Sequence, residues 1–159
     1  MRTISQLNEQ ERKELFKEIK RLGMIFVYGS NSKGIHGKGA ALTAKNMFGA
    51  VNGKTGYYGQ SYGINTVKEI GRGPRQYSID ELSNNILEFL EFASSRPEDI
   101  FFLTMIGCGL AGYEESEIFK ILIKNNAHIV ANIMYESLEW HTRFLGVPRS
   151  ERMIEILYG

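Results

Sequence analysis

A buried-type strand, a glycine-rich loop and a helix follow one another between residues 24 and 50, and this order restricts the fold more than any other feature. Residues 24–28 (MIFVY) are a short run of the β-branched and aromatic types that suit a buried strand. Four glycines then lie between Gly29 and Gly39, and the Ala-rich stretch up to Phe48 ends at Gly49, as is typical of a helix. Such a loop favours anions, because glycines let the backbone approach an oxyanion and a helix N-terminus offers free N–H groups.

The same order of elements returns later in the chain. Residues 100–106 (IFFLTMI) are predicted to form a second buried strand, residues 107–113 (GCGLAGY) a second glycine loop, and residues 114–125 a helix. Strands that alternate with helices predict a three-layer α/β/α domain with a mixed, mostly parallel sheet. Ligands of such sheets bind beyond the carboxyl ends of the strands, so we expect both loops to line one cleft and their strands to be neighbours or nearly so.

The remaining elements follow from apolar periodicity and from start and stop signals. Helices are predicted at residues 5–22, 78–94, 136–145 and 150–157, and strands at residues 60–67 and 128–134, with Ser78 as the N-cap of the second of these helices. Residues 51–59 are too polar and too broken for an element, and residues 68–77 are expected to form a basic loop. The first helix is amphipathic and lies outside the repeated unit, so we expect it to pack on the fold as an extra N-terminal helix.

Length and composition predict a single domain over residues 1–159. A chain of 159 residues, 43% of them hydrophobic, can build one sizeable core and hardly two. Nineteen basic and 18 acidic residues leave a formal net charge of +1. This balance gives no global electrostatic reason to expect binding to nucleic acid or to an anionic membrane, so any site for a polyanion must be local.

The cysteine and histidine content limits the cross-links that this chain can use. The single cysteine, Cys108, cannot form an internal disulfide, and three histidines with one cysteine are too few for a structural zinc site. No apolar run approaches the ~20 residues of a membrane span, and the first residues lack the apolar core of a signal peptide. We therefore expect a cytoplasmic protein without a metal, a cofactor or a membrane partner.

The first glycine loop departs from two common nucleotide-binding motifs. A P-loop requires Lys and then Ser or Thr after its second glycine, whereas Ile35 and His36 occupy those positions. The second strand also ends without an acidic residue that could hold magnesium. A dinucleotide-binding fold fits poorly, because the loop lacks G-x-G-x-x-G and no acidic residue closes a strand about twenty residues later.

Residues 25–31 (IFVYGSN) and 34–41 (GIHGKGAA) resemble the signature of macro domains, in which a strand ends in a small-small-Asn triplet before a glycine-rich loop. His36 coincides with a histidine that viral macro domains carry before that glycine run. Residues 106–113 (IGCGLAGY) are similar to the later macro-domain loop that wraps a diphosphate. The likeness is closest to small phage and bacterial macro-like proteins with GSN, HGxGAA, GQSY and GCGLAGY. It covers residues 24–124, and the N-terminal helix (residues 1–23) and the C-terminal strand and helices (residues 125–159) lie outside it.

This resemblance implies a protein that binds ADP-ribose or a related nucleotide, and it gives a role to each matching residue. Asn31 would hydrogen-bond the distal ribose, since an amide both donates and accepts, and His36 would transfer a proton or orient water. Asn31 and His36 are therefore the candidate catalytic residues. In the first loop the ligand contacts would be Gly29, Ser30, Gly37, Lys38, Gly39 and Ala40. In the second loop the diphosphate would be wrapped by Gly107, Cys108, Gly109, Leu110, Ala111 and Gly112, with Tyr113 against a sugar.

One part of the family pattern is missing from this chain. Macro domains usually bind the adenine amino group with an aspartate that follows the first strand, and residues 5–22 contain no aspartate. The only aspartates of the chain, Asp80 and Asp99, lie at predicted element starts elsewhere. Three alternatives for the base stay open, namely recognition by backbone, by an acid such as Glu69, or not at all. A different ribosyl phosphate as the ligand is also open.

Two functional classes fit these residues. A hydrolase would cleave an ADP-ribose phosphomonoester or an ADP-ribosyl link, in which case the partner would be an ADP-ribosylated protein or nucleic acid. A binding module would capture the nucleotide unchanged. The pairing of an asparagine with a histidine at the distal ribose favours the hydrolase, because it is more than simple capture requires. Such chemistry needs little beyond a positioned water, a strained distal ribose and N–H donors, so the lack of a strong catalytic dyad does not exclude it. A third interpretation is an α/β interaction domain whose glycine loops are purely structural.

Each candidate residue also has a structural interpretation. Asn31 could be a turn residue and His36 a hydrogen-bonding loop residue. Cys108 could be a nucleophile with His36 as its base, but a small buried thiol in a loop is commoner. The basic loop could contact a phosphate or simply form a solvated surface through Lys68, Arg72 and Arg75. The oligomeric state is not defined by the sequence.

Overall fold

The computed structural model describes residues 1–31, 39–69, 75–109 and 111–159. The strands in these ranges are β1 (Ile25–Asn31), β2 (Gly56–Tyr58), β3 (Ser61–Glu69), β4 (Arg75–Gln76), β5 (Phe101–Leu103) and β6 (Ile133–Tyr135). The α-helices are α1 (Glu9–Arg21), α2 (Gly39–Met47), α3 (Ile79–Ser94), α4 (Glu115–Lys124), α5 (Leu138–Phe144) and α6 (Glu151–Tyr158). Single-turn 3₁₀ helices lie at Ile4–Gln6 and Ala127–Ile129.

The strands form one mixed sheet in the order β2-β3-β1-β5-β6, and β4 pairs with β3. β1 pairs in parallel with β3 and β5, and β5 pairs in parallel with β6, whereas β2 and β4 run antiparallel to β3. Ile25 lies opposite Phe101, and Val27 lies opposite Leu103. The predicted adjacency of the two strands that precede the glycine loops is therefore confirmed.

Helices cover both faces of this sheet, as the alternation of side chains along β1 indicates. Ile25 and Val27 belong to one core, which includes residues of α3, α4 and α5. Phe26 and Tyr28 belong to a second core, which includes residues of α1, α2 and α6. A strand covered on both faces is apolar at successive positions, and this explains the uninterrupted run at residues 24–28. The predicted α/β class and the mostly parallel sheet are confirmed.

Local start and stop signals placed α2 and α3 correctly. Ser78 Oγ accepts from the Glu81 N–H at 3.2 Å, and Glu81 Oε1 accepts from the Ser78 N–H at 3.3 Å, which makes a reciprocal cap. α2 is closed by Gly49 with a φ of 79°, after which the Ala50 N–H donates back to the Ala44 carbonyl at 3.1 Å. Both signals depend only on residues close in sequence, so the sequence could reveal them.

Several predicted boundaries were wrong, and contacts of particular side chains mark three of them. The strand predicted at residues 24–28 also runs on to Asn31, because β1 keeps its pairing with β3 as far as that residue. The helix predicted at residues 5–22 is interrupted, since Asn8 Oδ1 accepts from the Glu11 N–H at 2.8 Å and starts α1 there. β5 is shorter than residues 100–106, because the N–H and Oγ1 of Thr104 both donate to the Val27 carbonyl, at 3.2 and 2.7 Å. β6 starts later than residue 128, because Ala127–Ile129 form a 3₁₀ helix, and Asn132 Nδ2, just before the strand, donates at 2.9–3.0 Å to the carbonyls of Ala93, Arg96 and Asp99.

The segments predicted to lack elements contain two short strands, which corrects the prediction for residues 51–59 and 68–77. β2 and β4 both pair antiparallel with β3, so their backbone conformation comes from a partner rather than from their own periodicity. The Tyr57 ring of β2 packs 5.1 Å from the Phe92 ring and 4.7 Å from the Arg96 guanidinium carbon. These tertiary contacts are not visible in the polar, glycine-rich sequence of the segment.

Candidate functional site

The carboxyl end of β1, where Asn31 lies, departs from regular strand pairing. Ser30 pairs with Asn65 of β3, but Asn31 pairs with Val67, so that Thr66 is an extra residue in β3. Thr66 is 3% exposed, and its Oγ1 donates to the Ser30 carbonyl at 3.3 Å. A bulge of this kind increases the local twist and redirects the residues beyond it, and bulges occur often beside active sites. Asn31 is thus held half-buried at a fixed, irregular strand end.

Gly29, which the sequence placed at the start of the first glycine loop, is a residue of β1 and lies beside Gly107 at the start of the second glycine loop. A Cβ atom placed on Gly29 would lie 3.0 Å from Thr66 Oγ1 and 3.6 Å from the backbone nitrogen of Gly107. A side chain at residue 29 would therefore crowd Thr66 in the bulge and reach ordinary van der Waals contact with the start of the second loop. This contact puts Asn31 and the second loop at the same edge of the sheet, as expected for parallel neighbouring strands.

The second loop is closed by hydrogen bonds within its own backbone. The Cys108 N–H donates to the Met105 carbonyl at 3.3 Å, the Gly112 N–H to Gly109 at 3.0 Å, and the Tyr113 N–H to Gly107 at 2.9 Å. Gly109 is exposed, and its N–H donates to no acceptor within the described ranges. A closed loop that presents an N–H group in this way is a suitable donor to a phosphate oxygen.

The glycines of this loop are required for different reasons. Gly107 has a φ of 75°, and a Cβ there would lie 3.0 Å from Ile118 Cδ1 and 3.2 Å from Tyr113 Cδ2. Gly112 has a φ of 77°, which side chains also disfavour. Gly109 has no positive φ, and a Cβ on it would meet no described heavy atom within 4 Å. The fold thus explains Gly107 and Gly112 but gives no reason for a glycine at residue 109, where open space remains.

The far end of the loop is anchored to β4 and to the residue after it. The Tyr113 hydroxyl donates to the Tyr77 carbonyl at 2.7 Å, and Gln76 Nε2 donates to the Ala111 carbonyl at 2.8 Å. Tyr113 is 5% exposed and belongs to the core. Its side chain therefore anchors the end of the loop to the core. The contact with a sugar that the resemblance implies stays a prediction.

Cys108 is half-buried in the loop, and its Sγ lies 3.6 Å from the Ile106 carbonyl oxygen. Burial, together with the carboxylates of Glu115 and Glu136, raises the pKa of the Cys108 thiol to about 11. A thiol with this pKa is almost entirely protonated at neutral pH, and the thiolate is the nucleophile in cysteine chemistry. The environment therefore favours the structural interpretation of Cys108 over the nucleophile.

We expect the reaction of Cys108 with iodoacetamide at pH 7 to be about a hundredfold slower in the folded protein than in the urea-unfolded protein. The factor follows from a pKa of about 11 against the ordinary value of 9.0, because the rate is proportional to the thiolate fraction. The rate in the folded protein should keep rising about tenfold for each pH unit between pH 8 and 10. Alkylation at equal rates in both states, measured by mass spectrometry, would show that the thiol is not perturbed.

Glu136 is a residue of this region that the sequence reasoning missed as a site component. It directly follows β6, is 5% exposed, and burial raises the pKa of its carboxyl. Its Oε1 accepts from the Met105 N–H at 2.9 Å, and its Oε2 accepts from the Ile4 N–H at 2.9 Å. Glu136 therefore ties the base of the second loop to the N-terminal 3₁₀ turn. The available signal was an acidic residue directly after a buried apolar run, which we assigned to the start of a helix.

We expect Glu136→Gln to lower the free energy of unfolding by about 1–3 kcal/mol. The amide nitrogen of glutamine cannot accept a hydrogen bond, so the buried N–H of Met105 or of Ile4 loses its acceptor. Glu139→Gln is the matched control, because Glu139 is exposed on α5 and should change stability by less than about 0.5 kcal/mol. Urea unfolding of both variants provides the measurement, and equal midpoints would contradict the bridging role of Glu136.

The other predicted site residues are placed as follows. Gly39 and Ala40 are the first residues of α2, whereas His36, Gly37, Lys38 and Leu110 lie outside the described residues, as does Arg72. Lys68 Nζ lies 3.2 Å from Glu81 Oε2 in an exposed ion pair, which is consistent with a solvated surface at that residue. The functional interpretation of His36 stays a prediction.

Neither a metal centre nor a membrane span is found in the part of the chain that the structure describes. No group of three or more His, Cys, Asp or Glu side chains there is arranged to hold a metal ion. Among the described helices, none combines the length and the apolar character needed to cross a bilayer. Comparisons of the chain with protein-family models, with curated proteins and with solved structures found no match.

Proposed function

We propose that this chain binds ADP-ribose or a related ADP-ribosyl nucleotide between its two glycine loops. The observation that carries the proposal is the closeness of Gly29, near the carboxyl end of β1, to Gly107 at the start of the second loop, at the carboxyl edge of two parallel neighbouring strands. Ligands of open α/β sheets bind at this edge. The resemblance of residues 25–31, 34–41 and 106–113 to macro domains supports this ligand class.

The diphosphate is proposed to lie against the second loop. Gly109 is exposed there with open space above its Cα and an N–H group that no described residue uses. The N-terminus of α2 begins at Gly39 and supplies further N–H groups with the positive end of the helix dipole. The distal ribose is proposed to lie next to Asn31, whose position the bulge at Thr66 fixes.

We also propose that the bound nucleotide is a substrate, with an ADP-ribose phosphomonoester or an ADP-ribosyl link as the bond that is hydrolysed. Asn31 would orient the distal ribose and His36 would transfer a proton or orient the attacking water. The support is the irregular strand end at Asn31, which is a common feature beside active sites. A raised thiol pKa argues against a covalent intermediate on Cys108.

The second candidate function is capture of the nucleotide without chemistry. It is favoured by the scarcity of ionisable side chains in the described part of the cleft. The only ionisable side chains there are those of Cys108 and Tyr113, among residues 29–31, 107–109 and 111–113. Burial raises the pKa of both these side chains, so neither is suited to proton transfer near neutral pH. A binding module needs only the N–H donors of the loops and the amide of Asn31.

Calorimetry followed by a product assay tests the proposal. ADP-ribose, ADP-ribose-1″-phosphate and cyclic ADP-ribose species should be titrated in parallel with ADP, which lacks the distal ribose. We expect ADP-ribose or its phosphate to bind more tightly than ADP, because Asn31 contacts only the distal ribose. If none of the four nucleotides binds at millimolar concentration, the proposed ligand class is wrong. Chromatography of the bound nucleotide after hours with excess protein then separates the hydrolase from the binding module.

A further inference from the structure

An open surface cavity of about 430 Å³ lies between α5 and α6 and is lined by Leu138, His141, Pro148, Arg149, Ile154 and Tyr158. The segment that connects the two helices is fixed, because the Gly146 N–H donates to the His141 carbonyl at 3.3 Å and the Val147 N–H to Ile133 at 2.8 Å. Ser150 Oγ accepts from the Met153 N–H at 3.2 Å and starts α6. Arg149 is thus held at a constrained position in the wall of the cavity.

The guanidinium of Arg149 is only partly satisfied by the protein. Its Nη2 donates to the carbonyls of Tyr135 at 2.6 Å and Glu136 at 3.3 Å. Its Nε is buried without a partner, and no described carboxylate forms an ion pair with it. The carboxylate of Glu136, which interacts electrostatically with Arg149, accepts its hydrogen bonds from the N–H groups of Ile4 and Met105. A positive charge therefore lines this cavity without a direct ion-pair partner among the described residues, although the buried Glu136 carboxylate acts on it through space.

The other walls are apolar or neutral. Leu138, Pro148 and Ile154 provide aliphatic surface, and Tyr158 adds an aromatic ring. Burial and the neighbouring Arg149 lower the pKa of His141, so its imidazole is mostly uncharged at pH 7. None of the six lining residues carries a carboxylate. The site thus combines one fixed cation with apolar walls, and its volume lies within the ~300–1,000 Å³ that is usual for small-molecule pockets.

We propose that this cavity binds a small organic carboxylate with a flat apolar body. The carboxylate accepts hydrogen bonds from the Arg149 guanidinium, and the apolar body lies against Leu138, Ile154 and the ring of Tyr158. One cation beside a neutral imidazole matches a monoanion better than a doubly charged phosphate. The lining residues are separate from both glycine loops, so this site stands independently of the proposed nucleotide function.

Nuclear magnetic resonance titrations of ¹⁵N-labelled protein test the site with three probes, namely benzoate, its neutral isostere benzamide, and inorganic phosphate. We expect benzoate to shift the amide signals of α5, residues 145–150 and α6 in a saturable way. Benzamide should bind at least about tenfold more weakly, because it lacks the charge that pairs with Arg149. Phosphate should leave the same signals unchanged.

Charge substitutions at Ile154 provide a specific control without touching the arginine. Ile154 is 46% exposed, so Ile154→Glu should fold, and it should weaken benzoate binding about tenfold or more, whereas Ile154→Lys should strengthen it. Ile123→Glu on α4 is the matched control, since Ile123 is 45% exposed and lies outside the cavity. Equal affinity for benzoate and benzamide, tighter binding of phosphate, or equal effects of the Ile154→Glu and Ile123→Glu changes would each overturn the proposal.

Discussion

Gly109→Val is expected to abolish ADP-ribose binding, with more than about a hundredfold loss of affinity, while the free energy of unfolding stays within about 0.5 kcal/mol of the wild type. Gly109 has no positive φ, and no described heavy atom lies within 4 Å of the position that its Cβ would take. A valine therefore causes neither backbone strain nor a clash in the free protein. It occupies the space through which a phosphate would approach the loop N–H groups.

Gly23→Val is the matched control for this experiment. Gly23 lies before β1, at the opposite end of the sheet, and also has open space around its Cβ position, but its φ is 70°. Valine at a positive φ is strained, so we expect lower stability with unchanged nucleotide affinity. Calorimetry and urea unfolding should show lost binding with unchanged stability for Gly109→Val, and unchanged binding with lower stability for Gly23→Val. If Gly109→Val folds and binds ADP-ribose as the wild type does, the second loop is not the phosphate site.

Asn31→Ala is expected to lower turnover of the hydrolysed nucleotide by about two orders of magnitude, if the chain is a hydrolase. The amide of Asn31 is proposed to orient the distal ribose, and the bulge at Thr66 holds the strand end that carries it. Asn46→Ala is the matched control, because Asn46 is exposed on α2 and its loss should leave turnover unchanged. Single-turnover rates measured by chromatography compare the two variants without interference from product release.

The companion substitution His36→Ala separates acid–base catalysis from simple positioning. If His36 transfers a proton, its loss should reduce the rate and remove the pH dependence between about pH 5.5 and 7.5. For a binding module, each of Asn31→Ala and His36→Ala should instead weaken affinity by about 1–2 kcal/mol, and no product should form. Intact nucleotide after many hours with excess wild-type protein would decide for the binding module.

The sequence alone was sufficient for features that depend on residues close together. The caps at Ser78 and Gly49 require contacts over only a few positions, and both were predicted correctly. The apolar run at residues 24–28 indicated a strand buried on both faces, and Phe26 and Val27 lie in the two different cores. The two glycine loops were expected to reach one ligand, which predicted that their strands would be neighbours or nearly so, and β1 and β5 are adjacent.

Tertiary structure alone decided the features that depend on distant residues. The bulge that places Asn31 comes from Thr66 on another strand, and the loop beside it is held by Glu136, which the sequence reasoning had assigned to a helix start. The backbone angle and the space around the Cβ position distinguish Gly109, which the fold does not require, from Gly107, which it does. Likewise, only the tertiary structure showed that Arg149 lines the cavity between α5 and α6. The physical reason is that composition and periodicity encode propensity and burial, whereas register, unpaired charge and open space arise only when remote segments pack together.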